Sequence, residues 1–318
     1  MKLSSEQLYR LSIAGRTASG LSLLGVATIF ATFTFSENFR SPTHRIMLIN
    51  AFYNLFDFIA TMMSVSGPEA GDGSALCRFQ GFCLQMFPVA DVLWTLAMTW
   101  DVVLVVFYHY EPERLRRLEK KYLVVITTLT FIPALVFLFI RDSDKGPIYG
   151  SVVFWCSISP NWVLFRIIFY YAPIWIIIMV VLILYIYIGH EIFQLRHELM
   201  LTNNDCLVLS STASPSDESI TARPPTSRDD MKHLDGPIIR PQSAVSLRKF
   251  LLMPVLFFLA LLTTWVTPTI NRIYAFRHPG QEPYPLMVAV AALGSLRGFW
   301  NGIIFVSMRS KGKGKGRR

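Results

Sequence analysis

Charge is scarce in this 318-residue chain: Asp, Glu, Lys and Arg make up 16% of it, while 53% of the residues are apolar and mean hydropathy is +0.43. That balance excludes an ordinary soluble domain and leaves a polytopic membrane protein. The apolar segments hold no His/Asp/Glu set with metal-ligand spacing and no nucleophile constellation, so no enzyme is expected and no cofactor or metal is implied. No lysine falls between Lys249 and Lys311, which removes the seventh-helix attachment point that a retinal-binding pump or sensor needs. The sequence contains no N-x-S/T acceptor, no C-a-a-X ending and no repeat of soluble type. Its first ten residues, MKLSSEQLYR, are polar and lack the signature of a cleavable signal peptide. The first helix is therefore expected to be its own insertion signal.

Seven apolar runs remain, each long enough for hydrocarbon about 30 Å thick. They lie at about 11–35, 46–66, 79–107, 122–140, 163–189, 250–271 and 285–307. The fold class expected is an all-α seven-helix transmembrane bundle over 11–307, with a short segment 1–10 before it and a basic tail, 308–318, after it. Prolines 88, 133, 173, 254 and 268 predict local kinks that neighbouring helices absorb. Orientation follows from the basic residues. With the N-terminus outside, the inner segments hold 20 Lys and Arg and the outer ones seven, so the C-terminus is cytoplasmic. The net charge of +9 is thus largely topogenic, and nucleic acid is not an expected partner.

The long connection between helices five and six includes STASPSDESITARPPTSRDD. Such a composition cannot bury enough surface to offset ordering entropy, so 201–247 is expected to be mostly disordered, with 190–200 extending helix five. Ser214, Ser216, Ser219 and Thr226 either take phosphate from kinases or simply belong to a linker. The tail RSKGKGKGRR is either a stop-transfer flank or a segment held near anionic lipid.

The stretch Cys77–Tyr110 carries Asp91 and Asp101 inside an apolar run. Intramembrane carboxylates are costly, so this helix is expected at the centre of the bundle. Cys77 and Cys156 both face the oxidising side and are expected to pair, pinning the second outer loop over the bundle mouth. Cys83 reads as a buried thiol, and Cys206 lies on the reducing side. Asp57 and Arg297 each lie about eleven residues from the inner end of their helix, roughly 16 Å deep at 1.5 Å per residue. Equal depth permits an ion pair, either a static tie or an element that rearranges on activation. Asp101 lies nearer the transducing end, whereas Asp91 and Trp94, with Trp265, are candidate ligand-facing residues. Arg16, Arg166 and Arg272 lie near outer helix ends, where they either snorkel or converge on an anionic ligand. Gly294, Gly298 and Gly302 form a small-residue ridge suited to close helix contact.

Seven crossings, an outer cysteine pair and a long third inner loop together suggest a G-protein-coupled receptor. The words NAFYNLFDF (50–58), VADVLWTLAMTWDV, YYAPIW (170–175), TINRIYAF (269–276) and GFWNGIIF (298–305) resemble the cyclic-AMP-receptor-like (class E) receptors over helices two to seven. The long, proline-rich third loop looks fungal. The end of helix three reads VFYHYEPERLRR, with no D/E-R-Y triplet, which disfavours the rhodopsin-like class. The resemblance implies a plasma-membrane receptor that senses a small extracellular ligand and activates a heterotrimeric G protein, feeding a cAMP-type pathway. The surface expected to contact Gα is Arg114, Arg116, Arg117, Lys120 and Lys121 of the second inner loop, with Arg196 on the helix-five extension. The alternative class is a transporter or channel, for which no internal repeat or paired broken helices are evident.

Overall fold

The computed structural model describes residues 4–39, 41–211, 242–278 and 283–307. Eight helices carry the architecture: α1 Ser5–Phe35, α2 Pro42–Met63, α3 Ala75–Tyr108, α4 Pro112–Val136, α5 Ala172–Ser211, α6 Gln242–Arg277, α7 Tyr284–Ser295 and α8 Arg297–Ser307. The last two are halves of one crossing, so the molecule is a seven-helix bundle. Six crossings meet the length and apolarity of a full span by composition alone. The seventh helix of the bundle is α4, whose charged first ten residues dilute its apolar part.

Local chemistry sets the boundaries. Ser4 and Gln7 form a reciprocal capping box at the start of α1, and Ser41 caps α2 ahead of Pro42 in the first turn. The Ser74 hydroxyl accepts from Cys77 N at 3.1 Å, which fixes the half-cystine in the first turn of α3. His109 ends α3 with φ 51°, and with only two residues between them Pro112 begins α4. The segment expected as the second inner loop is therefore mostly helix; Glu-Pro-Glu before an apolar run is a helix-start signal. α5 runs on to Ser211 and α6 begins at Gln242, so both ends of the expected loop 201–247 are helical, and 212–241 lies between them. Those residues, with the four candidate phosphorylation sites and the tail 308–318, lie outside the described residues.

α3 is central. Of its span, 72% is buried against 17% for the span that includes α5. One apolar cluster joins α1–α4, α6 and α8 around Phe58, Met98 and Trp94, and a second joins α3, α5 and α6 around Val92, Ile178 and Trp265. Between α4 and α5 the chain forms two antiparallel hairpins: β1 Arg141–Asp142 with β2 Gly146–Pro147, and β3 Tyr149–Val152 with β4 Trp155–Ile158. Just before α5, Ile167–Tyr171 is wound as a π-helix. The wider turn precedes Pro173, whose missing N–H and ring bulk disfavour a regular α-turn.

The break between α7 and α8 at Leu296 has a visible cause. The Ser22 hydroxyl of α1 donates to the Ser295 carbonyl and accepts from Phe299 N. A side chain inserted into the helical ladder satisfies the groups that the break releases. Gly298 and Gly302 lie against Gly25, with no room for a Cβ between the backbones, whereas nothing lies within 4 Å of a Cβ on Gly294. The expected glycine ridge is thus two residues long, and Gly294 faces a cavity.

Candidate functional site

At the outer end of the bundle, below the β3–β4 hairpin, lies a cavity of about 110 Å³, taken as the space open to the centre of a water molecule. That is room for several waters at about 10–15 Å³ each. α3 supplies Leu84 and Pro88, and α6 supplies Thr264, Trp265, Pro268, Asn271 and Arg272. The π-helical segment turns Tyr170 and Tyr171 to the cavity, and the hairpin roofs it with Val152, Val153, Phe154 and Trp155. Val153, at the hairpin tip, has φ 58°, an uncommon conformation for a β-branched residue.

The roof is fastened. Cys156 of β4 is disulfide-bonded to Cys77, with the Cα atoms 5.3 Å apart. Gln80, fully buried one turn below, receives Cys156 N on its Oε1 at 2.8 Å and donates Nε2 to Ala60 O and Ser64 O, both at 3.0 Å. One amide thereby ties hairpin, α3 and the end of α2. Asp72 accepts from Ser151 N at 2.7 Å and from the Ser151 hydroxyl. Tyr149 donates to Ala134 O at 3.0 Å; burial raises its phenol pKa, so it stays a neutral donor.

The cavity floor is a charge network. Arg297 at the start of α8 lies 2.5 Å from Asp57 Oδ2, donates to Asn54 Oδ1 at 3.1 Å and comes within 3.3 Å of Asp91 Oδ2. The last is a charge contact without hydrogen-bond alignment, since Asp91 Oδ2 has no hydrogen-bond partner. Asp91 Oδ1 accepts from Asn50 at 2.8 Å and from Asn54 at 2.9 Å. Phe58 presents its ring to the guanidinium, 5.7 Å from the centroid. Two carboxylates thus share one guanidinium. Asp57 and Trp265 both line the cavity, and Asp57 Oδ1 and the indole N–H of Trp265 are buried with no hydrogen-bond partner among the described residues. Buried polar groups are rarely left so.

The expected site residues divide. Arg166, Trp265 and Arg272 line the cavity, while Asp91 and Trp94 do not. Asp91 belongs to the network beneath, because its oxygens turn to α2 and α8. Trp94, fully buried, stacks towards Tyr53 in the core. Arg272 donates to the Tyr171 hydroxyl at 3.0 Å and Arg166 to the Ile158 carbonyl. Arg16 is exposed beyond the cavity and bonds Ser66 at 3.0 Å. Asp101 lies ten residues from Asp91, about 15 Å along α3, and accepts from Tyr122 at 3.0 Å; it has no part in the Asp57–Arg297 pair. The cations Arg114, Arg116, Arg117, Lys120 and Lys121 are all exposed on the first turns of α4, and the Arg196 side chain lies outside what is described. Sequence reasoning missed Asn50, Asn54 and Gln80, whose only signal was a polar residue inside an apolar run.

The family model for the slime mold cyclic AMP receptor matches residues 7–208. The crystal structure of squid rhodopsin superposes with a TM-score of 0.59 at 13% identity, over 96% of this chain and 83% of that one, a likeness that speaks to the fold alone. A search among curated proteins found no match. The matching family is that of slime molds, so the fungal placement expected from the third loop is not borne out. Fold and family together make this a multi-pass membrane receptor of the G-protein-coupled type, and the chain belongs to the slime mold cyclic AMP receptor family.

Proposed function

We propose that a small extracellular ligand occupies the outer cavity and biases the bundle towards a state that activates a heterotrimeric G protein at the plasma membrane. The observation that carries this reading is continuity: the cavity floor, at Asp57 and Arg297, is also the junction of α2, α3 and α8. An occupant that draws on Asp57 or Arg297 loosens the ion pair between them and so acts on three helices at once. Arg166 and Arg272 on the cavity wall favour a ligand bearing negative charge or strong acceptors, and Trp265 with the two tyrosines favours a planar, apolar body. α3, α5 and α6 share the second apolar cluster in their outer and middle parts, and their inner ends form the cleft that opens to Gα. A cAMP-type pathway downstream is the family's implication.

The test is nucleotide exchange on purified Gα subunits by the full chain in lipid vesicles, screened against small polar ligands. Basal acceleration is expected, with further acceleration by an active ligand. Trp265→Ala should then raise the half-maximal concentration of that ligand tenfold or more. Solute flux into the vesicles without any exchange would favour the transporter alternative.

A further inference from the structure

The five cations Arg114, Arg116, Arg117, Lys120 and Lys121 were expected at the G-protein surface, but the geometry of α4 directs them elsewhere. At about 100° per residue they fall within one arc of about 160°. Leu115 (2% exposed), Glu119 (4%), Ile126 (4%), Thr130 (4%) and Ala134 (0%) mark the face that α4 buries, and this face is centred about 130° from the middle of the basic arc. The basic arc falls instead on the outward face of the helix. Further along, Val124 at 65% exposure and Ile132 at 53% lie within that arc, and Val125 at 61% and Leu129 at 59% extend the exposed face beyond its edge. In a membrane protein this is the lipid-facing stripe. Among the described residues α4 packs chiefly on α3, with a smaller contact to α2 and none of that extent to α5 or α6.

Of the acids nearby, Glu113 falls within the same arc, but no ion pair joins it to the row among the described residues. Glu119 is held on the buried side by Arg45, whose Nε donates to both carboxylate oxygens at 3.1 and 3.0 Å. Arg114 leans over the Tyr110 ring, 5.7 Å from its centroid. The apolar stretch begins at Tyr122, so Lys120 and Lys121 lie within one turn of the inner boundary, and Arg116 and Arg117 about 8–9 Å below it at 1.5 Å per residue. Headgroup layers are about 5–7 Å thick, and long basic side chains snorkel upward into them.

We propose that the start of α4 is a binding site for the anionic headgroups of inner-leaflet phospholipids, with Lys120, Lys121, Arg116 and Arg117 as its main contacts and the lipid tails lying along Val124, Val125 and Leu129. The site seats α4 against the membrane and leaves the inner cleft to Gα. Each cation near the surface contributes about a five-fold gain in anionic-lipid affinity at low salt, falling as salt screens it.

The experiment is native mass spectrometry of the purified full chain in detergent micelles, titrated with phosphatidylserine or phosphatidylcholine and paired with Gα nucleotide exchange in vesicles. The Lys120→Gln/Lys121→Gln variant should lose phosphatidylserine retention about tenfold or more. Arg116→Gln/Arg117→Gln should lose less, and phosphatidylcholine retention should not change in either. These side chains are exposed, and if one pair fails to fold the other still decides. Arg116→Lys/Arg117→Lys should keep the lipid, because headgroup attraction follows charge. Unchanged phosphatidylserine retention in both Gln pairs overturns the proposal. Unchanged retention with lost exchange would return these residues to the Gα surface.

Discussion

The α1–α2–α8 side of the bundle and the α5–α6 side are built by different means. On the first, backbones meet at Gly25, Gly298 and Gly302, a serine enters the broken seventh crossing, and Asn50, Asn54, Asp57, Asp91 and Arg297 interlock. On the second, contact is mostly apolar, with Val181, Phe258, Leu261 and Trp265 against Val89 and Val92. Its polar ties among the described residues include Trp175 to Thr269 at 3.1 Å, Thr99 to Tyr185 at 3.0 Å and Arg272 to Tyr171 at 3.0 Å. Directional contacts resist displacement, whereas packed apolar helices shear past one another in small steps. The first side is the frame against which the second can move.

The sharpest way to break that comparison is at Arg297. Arg297→Met leaves Asp57 and Asp91 facing one another without a counter-charge, and should lower unfolding stability in detergent by about 3–5 kcal/mol. Phe258→Leu on the apolar side, close to volume-conserving, should cost under about 1.5 kcal/mol. Equal losses would dissolve the distinction between the two sides. A smaller effect sharpens the frame itself: Gly25→Ala drives a methyl into the Gly298 backbone and should cost about 1–3 kcal/mol. Gly294→Ala, with open space around it, should melt no lower than the parent.

The smallest effect lies off both sides, in the outer turn. Asp142 accepts from the backbone N–H groups of Asp144 at 2.8 Å and Lys145 at 3.1 Å, which hold its carboxyl below the usual range. Its contribution is therefore present above the ordinary carboxylate pKa and fades as pH falls through the lowered one. Amide exchange at Asp144 and Lys145 should quicken in that acid window, Asp142→Ala should abolish the pH dependence, and the melting of the bundle should not follow it. A bundle that melts in step with this turn would show the loop to be part of the frame.

The count of crossings was legible because length and apolarity are properties of single segments. The Asp57–Arg297 contact was legible because equal depth is a counting argument on two helices. Asp91 was misassigned to the cavity because depth along α3 says nothing of the direction in which its carboxylate points. The β3–β4 hairpin was hard to read because neither Tyr149-Gly-Ser-Val nor Trp155-Cys-Ser-Ile alternates strictly between apolar and polar residues, and its strands of four residues lie between long helical runs. The break at Leu296 had no local proline to announce it. Its cause is Ser22, more than 270 residues away in the chain.

The ties of the hairpin fall in register with one another: Ser151 pairs with Cys156, and both are fastened, one to Asp72 and the other to Cys77 and Gln80. Only one further residue pair, Val152 with Trp155, separates them from the tip. An arm clamped that near its end has almost no free length to swing. The roof behaves as a standing wall, and the entrance keeps the same dimensions whether the chamber is filled or vacant. On the proposed reading, selection among incoming molecules is by shape at a fixed doorway, and arrival is limited by diffusion and fit with no wait for a loop to lift.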